Sequence, residues 1–336
     1  MSKSLILLFL CSSMLLFAVL DVFSGSVSIP FGEFKHWLSG GETSDVFNFI
    51  VVQSRIPKAL TAILCGAALS LAGLLMQTLF RNPLAGPYLL GISSGAGLGV
   101  AILVMGAGVA GVSLATGYAV NVAAIVGALL MMLILLAVSF KLKDVMTLLI
   151  FGVMMGSIAT AIIGLIQFFT SDFQLKSFII WTLGSLSAVS YAELTVLSIV
   201  LIVSASYALQ HYKGLNAVLV SEDFAKMLGI NVLYVRLSIV IITGVLAGLT
   251  TSFCGPIGFV GIIIPHLSRL LLKTNDHLML IPVCLLLGAN VLLLSDILAH
   301  LPTNGISLPI NSITSIIGVP IILWILFGKK NLSQSF

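Results

Sequence analysis

Residues 55–99 read RIPKALTAILCGAALSLAGLLMQTLFRNPLAGPYLLGISSGAGLG, and this stretch decides the class of fold. Two apolar runs flank a short polar hinge, Arg81-Asn82-Pro83-Leu84-Ala85-Gly86-Pro87. Arg55 and Lys58 stand at the start of the first run, and Gly91, Gly95, Gly97 and Gly99 crowd the second. A soluble core needs no such combination. Helices packed closely in lipid do, because small faces let their backbones approach.

The rest of the chain agrees. Of 336 residues, 59% are hydrophobic and 8% charged, against about 25% charged in a soluble domain. Mean hydropathy is +1.22. Apolar runs near the ~20 residues needed to cross a bilayer recur along the sequence. They must be helical, since lipid satisfies no open backbone group. The chain is therefore expected to be an all-α polytopic membrane protein. The net charge of +4 says nothing about nucleic acid. Cys11, Cys65, Cys254 and Cys284 lie in or beside apolar runs without a CxxC pair, so they read as packing residues rather than a disulfide framework or metal site.

Ten spans are expected, at about 4–21, 57–79, 88–108, 118–140, 146–169, 190–209, 236–254, 258–272, 278–299 and 309–328. The third is glycine-rich and the eighth short, so either can be a broken helix. The N-terminal run resembles a signal peptide, but no small-x-small cleavage site follows it, and it reads as a retained first span. With both termini cytoplasmic, eleven basic residues, among them Lys3, Arg81, Lys143, Arg236, Lys329 and Lys330, fall inside. Only Lys35, Arg55, Lys58 and Lys176 fall outside, the asymmetry expected of the positive-inside rule. In the outer segment 22–54, which holds Pro30, Gly40 and Gly41, PFGEFKHWL can form a short interfacial helix.

Function is narrowed by what the interior lacks. Asp296, His266, Arg269 and Glu193 sit near span ends, where they can snorkel or meet water. No intramembrane series of carboxylates or histidines suggests a proton relay, which weighs against an ion-coupled carrier. No GxxxxGK[ST] loop occurs, so the chain is not expected to hydrolyse nucleotide itself. No HExxH, GxSxG or His/Cys cluster points to an enzyme. In the inner segment 210–235, SEDFAKMLG reads as a helix. Ser221 is its N-cap, Glu222 and Asp223 suit the first turn, Lys226 the last, and Gly229 the stop. Such a helix is either a solvated loop element or a docking element. Gly91, Gly95 and Gly99, four apart, form a slim face for simple helix packing or for helices around a pore. Asn82 then stands at the mouth of that pore, where a polar side chain needs water or a partner.

Five ordered segments together resemble the FecCD-type permeases of bacterial ABC importers for iron-siderophores, haem and vitamin B12. They are SRIPKALTAILCGAALSLAG, MQTLFRNPLAGPYLLGISSGAG, SEDFAKMLGINV, GPIGFVGIIIPHLSRLLL, and Asp276-His277 followed by LLLSDILAH and LPINSITSIIGVP. The resemblance implies a type II ABC importer permease, residues 1–336 forming one transmembrane domain in the bacterial inner membrane. It implies no cofactor on this chain. Two cytoplasmic ATP-binding subunits would use ATP and magnesium, a periplasmic or lipid-anchored binding protein would deliver ligand, and a second permease copy would complete a homodimer. By the same resemblance Ser221, Glu222, Ala225, Leu228 and Gly229 would couple to the ATPase. Arg55 and Lys58 would face outward to meet acidic residues of the binding protein. His300 replaces a further basic residue there and would make docking pH-sensitive. Asn82, Leu84, Val145 and Met146 would form the cytoplasmic gate, closing more by dewetting than by hydrogen bonding. An iron-siderophore leads as cargo, with vitamin B12 or haem behind it. An ion-coupled carrier and a membrane scaffold are the competing classes.

Overall fold

The structure is a computed structural model that describes residues 3–25, 31–39, 44–106, 117–142, 144–301 and 307–328. Pro30, Gly40, Gly41, Lys143, Lys329 and Lys330 lie outside the described residues. Among those described, all regular structure is helical. In chain order the helices are α1 (Lys3–Phe23), α2 (Phe31–Leu38), α3 (Asp45–Ile50), α4 (Ile56–Phe80), α5 (Ile92–Ala101), α6 (Gly117–Ser139) and α7 (Val145–Phe168). There follow α8 (Asp172–Leu183), α9 (Tyr191–Gln210), α10 (Tyr212–Val220), α11 (Glu222–Met227), α12 (Val232–Cys254), α13 (Val260–Leu272), α14 (His277–Ala299) and α15 (Ile310–Gly328). A π-helical turn, Val51–Arg55, joins α3 to α4, so one helical run extends over Asp45–Phe80. Seven helical segments are long and apolar enough to cross a membrane, and three shorter apolar helices occupy the other expected spans.

The bundle is built around α4. In its most apolar stretch 83% of residues are buried, against 17% in α1 and in α7, so α4 is the core and the other two form its flanks. α14, α12, α13 and α9 pack on it, and α1 lies across α14. A helix enclosed on all sides must satisfy its polar side chains inside the protein, and several hydroxyls of α4 lie within hydrogen-bond distance of its own backbone. Thr61 donates to the Pro57 carbonyl at 2.7 Å, Ser70 to Gly66 at 2.6 Å, and Thr78 lies 2.8 Å from the Leu74 carbonyl.

Small residues set the spacing. A Cβ at Gly73 would lie 1.7 Å from the Gly261 carbonyl oxygen, and one at Gly66 would lie 2.3 Å from that of Gly288. The backbones of α13 and α14 therefore touch that of α4 directly. Three irregular segments are stitched together between the helices. The Ile257 amide donates to the Tyr88 hydroxyl at 3.1 Å, Ser185 N to the Cys254 carbonyl at 2.8 Å, and Gly258 N to Asn311 Oδ1 at 3.0 Å. Buried non-helical backbone is tolerated in a membrane protein only when it is paired in this way. The third expected span is accordingly a broken element: Pro87–Leu90 forms one 3-10 turn, and α5 starts only at Ile92. α8 and α10 were not expected from the sequence. The first is short, with Phe178 its buried residue, and the second is held by burial of Leu215, Val218 and Leu219.

Gly73→Ala is expected to destabilise the detergent-solubilised chain by roughly 1–3 kcal/mol through overpacking. Gly164→Ala, whose Cβ would meet nothing within 4 Å, should leave the thermal unfolding midpoint unchanged or slightly raised.

Candidate functional site

Candidate residues gather at the two ends of α4. At its N-terminal end, the Lys58 ammonium lies 2.6 Å from Asp296 Oδ2 of α14 and 3.3 Å from Asp21 Oδ1 of α1. It also donates to the Ser24 carbonyl at 3.0 Å. Arg55 Nη1 donates to the same carbonyl. His300, just beyond α14, places Nδ1 2.9 Å from the Asp296 carbonyl and 3.5 Å from Asp296 Oδ2. Arg55 and Lys58 are only 4% and 3% exposed. Two carboxylates facing one ammonium would leave a net charge in a poorly solvated place. Arg55, on which both carboxylates act, compensates.

At the opposite end, a cleft of about 470 Å³ is lined by Phe80 and Arg81 after α4, by Asp144, Val145 and Met146 at the start of α7, and by Ser221, Glu222 and Asp223 at the start of α11. Each wall has a local cause. Arg81 ends α4 in a left-handed conformation with φ 46°, and Asn82 Oδ1 then accepts from Leu84 N at 2.9 Å to fold the turn. Asp144 caps α7: it accepts from the Thr147 hydroxyl at 2.7 Å and from the Thr147 amide at 2.8 Å. These bonds hold its carboxyl below the usual carboxylate range. Ser221 accepts from Phe224 N at 3.0 Å and starts α11, and Gly229 follows that helix with φ 76°. Arg236 of α12 joins two walls, donating to Glu222 Oε1 at 3.0 Å and to the Leu142 carbonyl at 2.9 Å.

Residues 13–328 match the FecCD transport family. The chain belongs to that family. It is similar to the vitamin B12 import system permease protein BtuC of Klebsiella pneumoniae, 36% identical over 306 residues that cover 90% of each chain. The protein of the same name from Salmonella newport is 37% identical over 294 residues, covering 87% of this chain and 88% of the relative. A solved structure assigned to the metal-chelate type of ABC transporter, in an inward-facing conformation, superimposes with a TM-score of 0.82 at 27% identity. It covers 98% of this chain and 100% of its own. This FecCD chain is thus a multi-pass permease of the ABC importer type.

The expected site residues fall into four groups. Val145, buried, and Met146, exposed, line the cleft, whereas Asn82 and Leu84 lie in the turn just beyond Arg81 and outside its lining, with Leu84 exposed. On α11 one expectation is corrected: Ala225 is 0% exposed and packed inward, because it lies on the inner face of a two-turn helix. The free surface belongs to Phe224, Met227 at 86% exposed and Leu228 at 59%. Glu222 is occupied by Arg236. Arg55 and Lys58 are also corrected in orientation: they turn into the protein, because Asp21 and Asp296 meet them at the same depth. Asp296 neither snorkels nor meets water but pairs with Lys58, and Asp21 joins it from α1. Gly91, Gly95 and Gly99 do not share one face. Gly91 (φ 73°) caps α5 against Gly152 and Gly156 of α7, while Gly95 and Gly99 pack on Gly127 and Ala123 of α6.

Lys58→Met should cost about 3–5 kcal/mol of stability by leaving buried carboxylates without their partner. Adding Asp21→Asn and Asp296→Asn should recover most of it, as read by thermal unfolding in detergent.

Proposed function

We propose that this chain is the permease subunit of an ATP-driven importer of metal chelates in a bacterial inner membrane, with cobalamin ahead of an iron-siderophore or haem as cargo. The observation that carries the reading is the cleft, in which the C-terminal end of α4 with Arg81, the 144–146 helix start and the start of α11 meet. It supports a gate next to a docking element. The order of ligands follows the relatives, which are named as vitamin B12 permeases. The iron-siderophore placed first by family resemblance has no such support.

In this reading both termini are cytoplasmic, two ATP-binding subunits dock on α11 through Phe224, Met227 and Leu228, and Ser221 and Gly229 fix where that helix starts and stops. A second copy of the chain completes the pathway. The partners supply ATP hydrolysis, and this chain supplies the passage. A binding protein docks at the Lys58 end. Its acidic groups must exchange with Asp21 and Asp296 for Arg55 and Lys58, so docking there is an ion-pair swap rather than contact with free cations. His300 sits at the edge of that exchange.

Two arms test the proposal. The chain reconstituted with its copurifying ATP-binding subunits and binding protein should take up labelled cyanocobalamin in an ATP-dependent manner, in preference to a ferric siderophore. The reverse preference would overturn the cargo assignment. Met227→Asp with Leu228→Asp should abolish copurification of the ATP-binding subunits, and retained stoichiometric association would overturn the docking face.

A further inference from the structure

At the C-terminal end of α4 a string of buried and half-buried polar side chains runs from α10, at the base of α11, to the 81–86 turn, its last step passing along the backbone of α4 from Thr78 to Gln77. It begins on α10, the helix that runs directly into Ser221. Asn216 of α10 donates through Nδ2 to Asp276 Oδ1 at 2.8 Å. Its Oδ1 faces His277 N at 2.9 Å and His277 Nδ1 at 2.6 Å. Since Oδ1 only accepts, Nδ1 carries a proton. The other ring nitrogen, Nε2, lies 2.6 Å from Thr78 Oγ1. Next to Thr78 on the last turn of α4, Gln77 donates to the Pro83 carbonyl at 2.7 Å and to the Ile262 carbonyl at 2.9 Å. Its carbonyl accepts from Arg269 Nη1. Asn82 N closes the turn on the Gln77 carbonyl at 3.2 Å.

Thr78, Gln77 and His277 are each 0% exposed. Water cannot replace a lost contact at such a site, so each bond is kept or its loss leaves an unsatisfied buried group. Both ring nitrogens of His277 are engaged on separate elements, α10 and α4. The imidazole is therefore a strut between them rather than a filler. The string ends on the 81–86 turn, whose first residue, Arg81, lines the cleft. Arg236 links Glu222 of α11 to Leu142, beside the other wall.

We infer that Asn216, His277, Thr78 and Gln77 form a rigid polar linkage that carries movement of the α10–α11 base to the 81–86 turn, with His277 as its positioning residue. The inference rests on the docking role proposed for α11. Displacing α10 draws on His277, His277 draws on the last turn of α4, and Gln77 moves the Pro83 carbonyl.

The test is hydrogen–deuterium exchange on the full-length chain in complex with its copurifying ATP-binding subunits, with and without Mg-ATP. In the wild-type complex, nucleotide should change exchange of the 81–86 amides on the order of tenfold, within the usual range of coupling between sites. Protection at 222–227 should report docking. In His277→Ala the nucleotide response at 81–86 should disappear while protection at 222–227 remains. Thr78→Val keeps the side-chain volume and should behave in the same way, and it decides the matter if His277→Ala does not fold. Basal exchange reports structure alone; the nucleotide-dependent difference reports the linkage. A wild-type response at 81–86 in folded, docked variants overturns the linkage and leaves the docking reading intact. Absence of protection at 222–227 in the wild-type complex overturns the docking reading and the linkage with it.

Discussion

The direct backbone contact of α4 with α13 and α14 is the constraint on which the rest of the bundle depends. Lipid offers no hydrophobic force to bring helices together, so packing has to come from surfaces that fit at short range. Gly66 against Gly288 and Gly73 against Gly261 provide that fit. Once α14 is pressed onto α4, Asp296 is brought within 2.6 Å of Lys58. Once α13 is pressed onto it, the Ile262 carbonyl comes within 2.9 Å of Gln77. The polar groupings at the two ends of α4 are thus consequences of one packing decision made in its middle.

That decision also explains why irregular backbone survives inside the bundle. The segment after α12 and the segment before α5 would each leave open amides in lipid. They meet instead, through Tyr88 and Ile257, in the space left where α13 begins only at Val260. The broken helices and the glycine contacts are complementary, since a full-length helix at α13 would fill the room that the 81–91 turn occupies.

The fold class was open to reading in the sequence because hydropathy is a property of local composition, and runs near 20 apolar residues leave few alternatives in a bilayer. The cap at Ser221 and the stop at Gly229 were legible for the same reason: capping is local chemistry. α8 and α10 were not, since short helices owe their stability to tertiary burial more than to propensity. The ion cluster lay between these cases. Asp21 ends the first expected span, Lys58 starts the second and Asp296 closes the ninth, so their common depth was implied by the span assignment. Treating each charge as a separate snorkelling group hid the pairing. The glycines taught a related lesson: spacing of four marks a helical face only where the helix includes all members, and Gly91 lies just outside α5.

The burial of Lys58 changes what a charged outer surface means in this FecCD permease. An exposed cation attracts an acidic partner from a distance, but its contact energy is small because water screens it. A cation already held by two carboxylates contributes little to long-range attraction, since its field is largely cancelled. What it offers is exchange: an incoming carboxylate gains a buried partner only if Asp21 or Asp296 gains water or another cation. Arg55, on which both carboxylates act, is placed to take up the released charge. The docking proposed for this end would thus require α1 and α14, which carry those carboxylates, to release them from α4. α4 itself, 25 residues and about 37 Å long, joins Lys58 at one end to Gln77 and Thr78 at the other as one uninterrupted helix.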